Sequence, residues 1–157
     1  MSTQIESKLF TKEIFALLEE IFAKVHGIIL DGGTSLTETL EKISANEASR
    51  PTTETGTSIT SQVDHVRFYL QVLNDYIDGK RQEKIDWQGS WKRKSVSESE
   101  WNSLRQQVKD DYKILMERLN SITDWNDERR LGGALGILAH TAYHLGAIRQ
   151  IMGVAKR

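Results

Sequence analysis

The segment LGGALGILAHTAYHLGAIRQIM, residues 131–152, contains no proline and no acidic residue, and it carries two histidines four positions apart, His140 and His144. At about 100° per residue, Leu131, Leu135, Leu138, Leu145 and Met152 form one apolar stripe. Ile137, Ile148 and Ile151 form a second stripe beside it, and both histidines lie within that second stripe. The remaining side is built from Gly132, Gly136, Ala139, Gly146 and Ala147, with Tyr143 among them. Almost no face of this segment suits water, so it predicts a largely buried helix over about residues 128–153. Each interior glycine costs a helix about 1 kcal/mol relative to alanine. Close approach of a neighbour offsets that cost, and the neighbour is either another helix of the chain or a second subunit of a homodimer.

Working outward, the same 3.6-residue period recurs three more times. Phe10, Ile14, Leu17, Leu18, Ile21, Val25 and Ile28 mark a first helix over about residues 5–29. DGG (31–33) breaks it, SLTETLEKIS (35–44) suits a short helix, and ANEASRPTTETGT (45–57) reads as a polar loop. Ser58 is placed to cap a second helix whose stripe is Ile59, Val63, Val66, Leu70, Leu73 and Ile77. A tryptophan-bearing connector, RQEKIDWQGSWKRK (81–94), follows. Ser97 and Glu100 have capping-box spacing ahead of a third helix that carries Trp101, Leu104, Val108, Ile114, Leu115 and Leu119 and ends near Ser121. Four long helices without strand-type alternation predict an all-α, four-helix bundle, formed as a single domain over residues 1–157. The long first connector can cross the length of such a bundle, so the first two helices need not be antiparallel neighbours.

Composition narrows the function classes. The 21 basic and 22 acidic residues nearly cancel and there is no long basic run, only a small cluster such as WKRK (91–94), so no nucleic-acid partner is expected. No apolar run approaches the length of a membrane span and the N-terminus lacks a signal-peptide layout, which points to a cytoplasmic protein without a membrane partner. The chain has no cysteine, which removes disulfides, thiolate ligands and a cysteine nucleophile of its own.

Histidines at i and i+4 share a helix face with their Cβ atoms about 5–6 Å apart. Both rings can then reach one metal ion, or they can sit as neutral, hydrogen-bonded core residues. His65, on the second helix, lies off the main apolar stripe in a side stripe with Gln62, Tyr69, Val72 and Tyr76. Three imidazoles from two helices would leave a fourth coordination position open, the pattern of catalytic rather than structural metal sites. His26, near the end of the first helix, is read as complementing that helix's negative end rather than as a ligand.

Histidine in SITSQVDHVRFYLQVLNDY (58–76), paired with HTAYHLGAIRQ (140–150), resembles the DinB-like (YfiT-like) superfamily, and the resemblance spans essentially the whole chain. It implies a four-helix bundle of up-down-down-up topology. It also implies a divalent metal, nickel or zinc, held by His65, His140 and His144. Many relatives carry glutamine where this chain has Ala147. Some family members are transferases or isomerases that use a low-molecular-weight thiol such as bacillithiol, so a small-molecule substrate and a thiol S-transferase activity are expected. A metal-dependent hydrolase and a non-catalytic binding or interaction bundle are the alternatives. No catalytic side chain is assigned. Gln62 and Tyr69 flank His65, Trp87 and Trp91 are candidates to cap a cavity mouth, and Arg149 is read as a surface residue.

Overall fold

The computed structural model describes residues 6–54, 56–80 and 84–156, and among these it is all helical. Four long helices, α1 (Ser7–Phe22), α4 (Ile59–Ile77), α5 (Glu98–Asn120) and α6 (Glu128–Ala155), pack around one apolar core. Two short helices, α2 (Leu36–Glu41) and α3 (Ala45–Ser49), lie in the connection from α1 to α4, and a 3₁₀ turn, Gly89–Trp91, lies between α4 and α5. Residues 81–83 of the tryptophan-bearing connector fall outside the described residues. No helix is long and apolar enough to cross a membrane among the described residues.

Serine capping boxes start most of these elements. At Ser58 the side chain accepts the Ser61 amide and the Ser61 side chain accepts the Ser58 amide; Ser97 and Glu100 do the same for α5. Reciprocal bonds of this kind satisfy amide hydrogens that a helix start otherwise leaves bare. The same device at Ser44 and Glu47 builds α3 inside the stretch expected to be polar loop, and Thr60 ties that short helix to α4 by donating to the Ala48 carbonyl at 3.0 Å.

The first helix ends at Phe22 rather than near residue 29. Val25 and Ile28 continue the apolar period, but the buried carboxylate of Glu20 accepts the backbone amides of Ile28, Ile29 and Leu30 at 2.7–3.0 Å. Those amides cannot also bond helically, and Gly27, with φ of 84°, supplies the left-handed turn that brings them round. The amide bonds hold the Glu20 pKa below the usual carboxylate value although burial opposes them.

The last helix is also less buried than its composition suggests. Its inward stripe is Ala134, Ile137, Thr141, His144, Ile148 and Ile151. Gly132, Leu135, Ala139, Tyr143, Gly146 and Gln150 form an exposed row, and Tyr143 is 73% exposed. Small residues suit water as well as a close neighbour, so the wheel alone does not separate the two. Gly133 and Gly136 are where the approach occurs. A Cβ on Gly133 would collide with the Ile77 side chain, and one on Gly136 would stand 3.2 Å from the Leu73 side chain.

Candidate metal centre

The site is a product of how α4 meets α6. Ile77 lies against Gly133, Leu73 against Gly136, and Gln62 reaches His144. As α4 is followed from 62 to 77 its partners on α6 run from 144 down to 133, so the two helices are antiparallel. Gln62, His65, Tyr69, Leu73 and Ile77 recur at three- and four-residue steps, so one stripe of α4 carries both the close-packing residues and His65.

The structure brings His65, His140 and His144 together as the sequence expects. The Nε2 atoms of His65 and His140 are 3.2 Å apart, and those of His140 and His144 are 3.1 Å apart. Two ligands about 2.0–2.1 Å from a tetrahedral zinc stand about 3.3–3.4 Å from each other, so the spacing suits a shared ion. His65 and His144 are 7% and 4% exposed, and His140 is half-buried.

Hydrogen bonds on the far side of two rings decide where their protons sit. The Ser90 hydroxyl donates to the Trp87 carbonyl at 2.7 Å, and Ser90 Oγ lies 2.7 Å from His65 Nδ1. A carbonyl can only accept, so both contacts are hydrogen bonds at once only when His65 Nδ1 donates. Gln62 Nε2 donates to Thr57 Oγ1 at 2.9 Å, which turns Gln62 Oε1 toward His144 Nδ1 at 2.5 Å. His144 Nδ1 is therefore also the protonated nitrogen. Both Nε2 atoms are left as lone pairs aimed at His140 Nε2. One neutral imidazole between them has a single proton to offer, and the Nδ1 of His140 is buried without a partner.

Burial first, then the neighbouring imidazoles, push His140 down to about 3. Burial, then the His65 imidazole, push His144 down to about 4, and burial lowers His65. At neutral pH the cluster is thus three uncharged imidazoles with lone pairs crowded at one point. A cation satisfies that arrangement better than any proton assignment does, and three histidines together can hold a metal ion.

Aromatic rings fix the imidazoles from the side. Tyr69 stacks on His140 with centroids 3.5 Å apart and planes 7° apart. Trp91 stacks on His65 at 4.0 Å and 19°. Trp87 meets Phe68 edge-on at 5.7 Å and is 41% exposed. Trp91 thus packs on a histidine of the site, and Trp87 packs on Phe68 and on Tyr69, whose centroid is 5.8 Å away. A cavity of about 400 Å³ lies between α4 and the connector, with Asp64, Arg67, Phe68 and Lys92 in its wall, and it meets the site at Ser90.

Of the other residues singled out in the sequence, His26 is exposed in the loop after α1, where its Nε2 lies 2.9 Å from a Glu19 oxygen, and it is not part of the clustered group. Arg149 is partly exposed five positions beyond His144. The polar contact to His144 comes from Gln62 on α4 rather than from position 147 on α6. Ser90 and Thr57 escaped the sequence, because hydroxyls in polar loops carry no periodicity to mark them.

These features define a class, an all-α protein with a three-histidine site able to hold a metal ion. More particularly, the chain belongs to the DinB superfamily, whose family model matches residues 31–148. No curated protein and no solved structure matches it.

Proposed function

We propose that the chain adopts the up-down-down-up four-helix bundle of its relatives. We further propose that it binds one divalent ion, zinc or nickel, through His65, His140 and His144, and acts in the cytoplasm as a transferase using a low-molecular-weight thiol. The convergence of three uncharged Nε2 atoms, two of them with Nδ1 protons fixed by Ser90 and Gln62, carries the metal assignment. A divalent ion on three neutral ligands keeps its full positive charge and a free position, and it supplies stabilisation of a bound thiolate at neutral pH. The chain has no cysteine, so the reacting sulfur arrives with the small molecule. The protein's own part would be to hold His65 and His144 in the tautomer that carries the proton on Nδ1, to shield the imidazoles with Tyr69 and Trp91, and to keep the cluster uncharged while the thiol proton passes to solvent water.

Protein purified without a metal-affinity tag should contain about one divalent ion per chain, and His140→Ala with His144→Ala should abolish it. Metal content that survives the double substitution removes the site. Metal-loaded protein should then accelerate conjugation of a bacillithiol-type thiol to an electrophile over the His65→Ala, His140→Ala, His144→Ala variant. Equal rates sink the transferase assignment, and turnover of an ester or amide without thiol would indicate a hydrolase.

A further inference from the structure

The connector between α4 and α5 holds one of the metal ligands, although it carries no ligand itself. Its descent onto the bundle has two kinds of anchor. At its C-terminal end, the Ser58 hydroxyl donates to the Lys94 carbonyl at 2.7 Å, and the Val96 amide donates to Ser49 Oγ at 3.0 Å. In its middle the 3₁₀ turn Gly89–Trp91 presents a buried Ser90 to His65 Nδ1 at 2.7 Å and lays Trp91 flat on the same ring. The end anchors bind connector to scaffold. The middle anchor binds connector to the imidazole through Ser90 and Trp91, beside Trp87 packed on Phe68 and Tyr69 and Arg93 paired with Asp64 at 3.7 Å.

We propose that Ser90 is a positioning residue for the metal site, and that metal binding and docking of the Trp87–Trp91 turn on His65 are thermodynamically coupled. The proposal rests on the metal-binding function above. The Trp87 carbonyl takes the Ser90 proton, so the Ser90 oxygen accepts from His65 and keeps the Nε2 lone pair directed at the other two histidines. Without that acceptor, His65 is free to place its proton on Nε2, the form that cannot ligate. An undocked connector removes Ser90 and the Trp91 stack together, so the docked form is the one that binds metal well. By linkage, the factor by which docking raises metal affinity is the factor by which metal favours docking. Acceptors behind metal-bound histidines are typically worth about 10–100-fold in affinity.

The test uses the full chain, with zinc and cobalt as probes. Metal affinity is measured by competition with a chromophoric chelator, the ligand field by the visible spectrum of the cobalt form, and docking by the rate of tryptic cleavage at the exposed Lys92 and Arg93, which follow the turn directly. Ser90→Ala should bind zinc about 10–100-fold more weakly and shift the cobalt bands. Ser90→Thr, which keeps the hydroxyl, should recover most of the affinity. In the unsubstituted protein, zinc should slow cleavage of the connector, and it should do so less in Ser90→Ala. Ser90→Ala that equals the parent in affinity, spectrum and protection overturns the positioning role. Zinc that binds the parent tightly yet leaves connector cleavage unchanged overturns the coupling, and needs no variant to show it. A parent protein that takes up no zinc and no cobalt removes the metal function itself, and this inference with it.

Discussion

Lowering the pH from 7 to 5 should destabilise the metal-free protein through its buried histidines. His140 sits near 3 and His144 near 4 in the folded chain, chiefly because burial disfavours the imidazolium. Unfolded, each titrates near its ordinary value of 6.5. The unfolded state therefore gains protons first as the pH falls, and stability present above 6.5 is lost progressively until the folded values are reached. At pH 5 an unfolded histidine is about 1.5 units below its ordinary value, and each unit is worth about 1.4 kcal/mol. The two residues together thus remove about 4 kcal/mol, a large share of the 5–15 kcal/mol that stabilises a typical domain. The lowered carboxylates, Glu20, Glu38, Glu47, Glu100 and Asp127, have unfolded values of 4.5 or below and act mainly at lower pH, so the window from 6.5 to 5 belongs to the histidines. Urea denaturation in the presence of chelator, followed by circular dichroism at pH 7 and pH 5, reads the loss directly. The variant with alanine at 65, 140 and 144 should show little of it. Equal stability of the parent at the two pH values, or an equal fall in the variant, would refute the claim that these imidazoles are buried and neutral.

Other perturbations separate the site from its scaffold. Gln62→Ala removes the acceptor behind His144 and should weaken zinc binding about tenfold or more with the fold intact, as chelator competition beside circular dichroism would report. Gly133→Ala drives a methyl into Ile77 and should cost about 1–3 kcal/mol. Gly146→Ala meets open space in the same helix and should stabilise by up to about 1 kcal/mol, so thermal melts of the pair should move in opposite directions. Glu20→Ala strips the acceptor from three loop amides, and hydrogen exchange at Ile28, Ile29 and Leu30 should accelerate while exchange in α5 stays slow.

What the sequence reveals and what it hides follow from the range of the interactions. α4 and α5 were legible because each couples a serine start signal to a sustained apolar period, and α6 because a long run without proline or acidic residues suits water on almost no face. The histidine cluster was legible because two members lie on one helix face and the third lies on the side stripe of α4, next to Gln62 and Tyr69. The end of α1 was not, because Val25 and Ile28 keep the period while a side chain one or two turns back, Glu20, captures the amides the helix needs. Ser90 was hidden for a different reason. Its role depends on a 3₁₀ turn landing 25 positions away from His65 in sequence, and nothing in QGSW signals where that turn will land.

Two glycines of the last helix, Gly133 and Gly136, are tied to its histidines through the same packing seam. Gly136 precedes His140 by one turn, and Leu73 follows Tyr69 by one turn on the facing helix. Because no side chain separates the helices at Gly133 and Gly136, α4 comes near enough for Tyr69 to lie flat on His140 and for His65 to reach it across the seam. Imidazoles are short, and a seam opened by about the width of a methyl would carry the 3.2 Å gap between His65 and His140 beyond what one ion can bridge. The helix propensity lost at these two positions, about 1 kcal/mol each, is therefore offset by packing against Ile77 and Leu73 and retained through what that packing brings together. Gly132, Gly146 and Gly153, which face open space, have no such compensation inside the described chain. Glycine in α6 thus serves the histidine cluster at Gly133 and Gly136, where the helix meets α4.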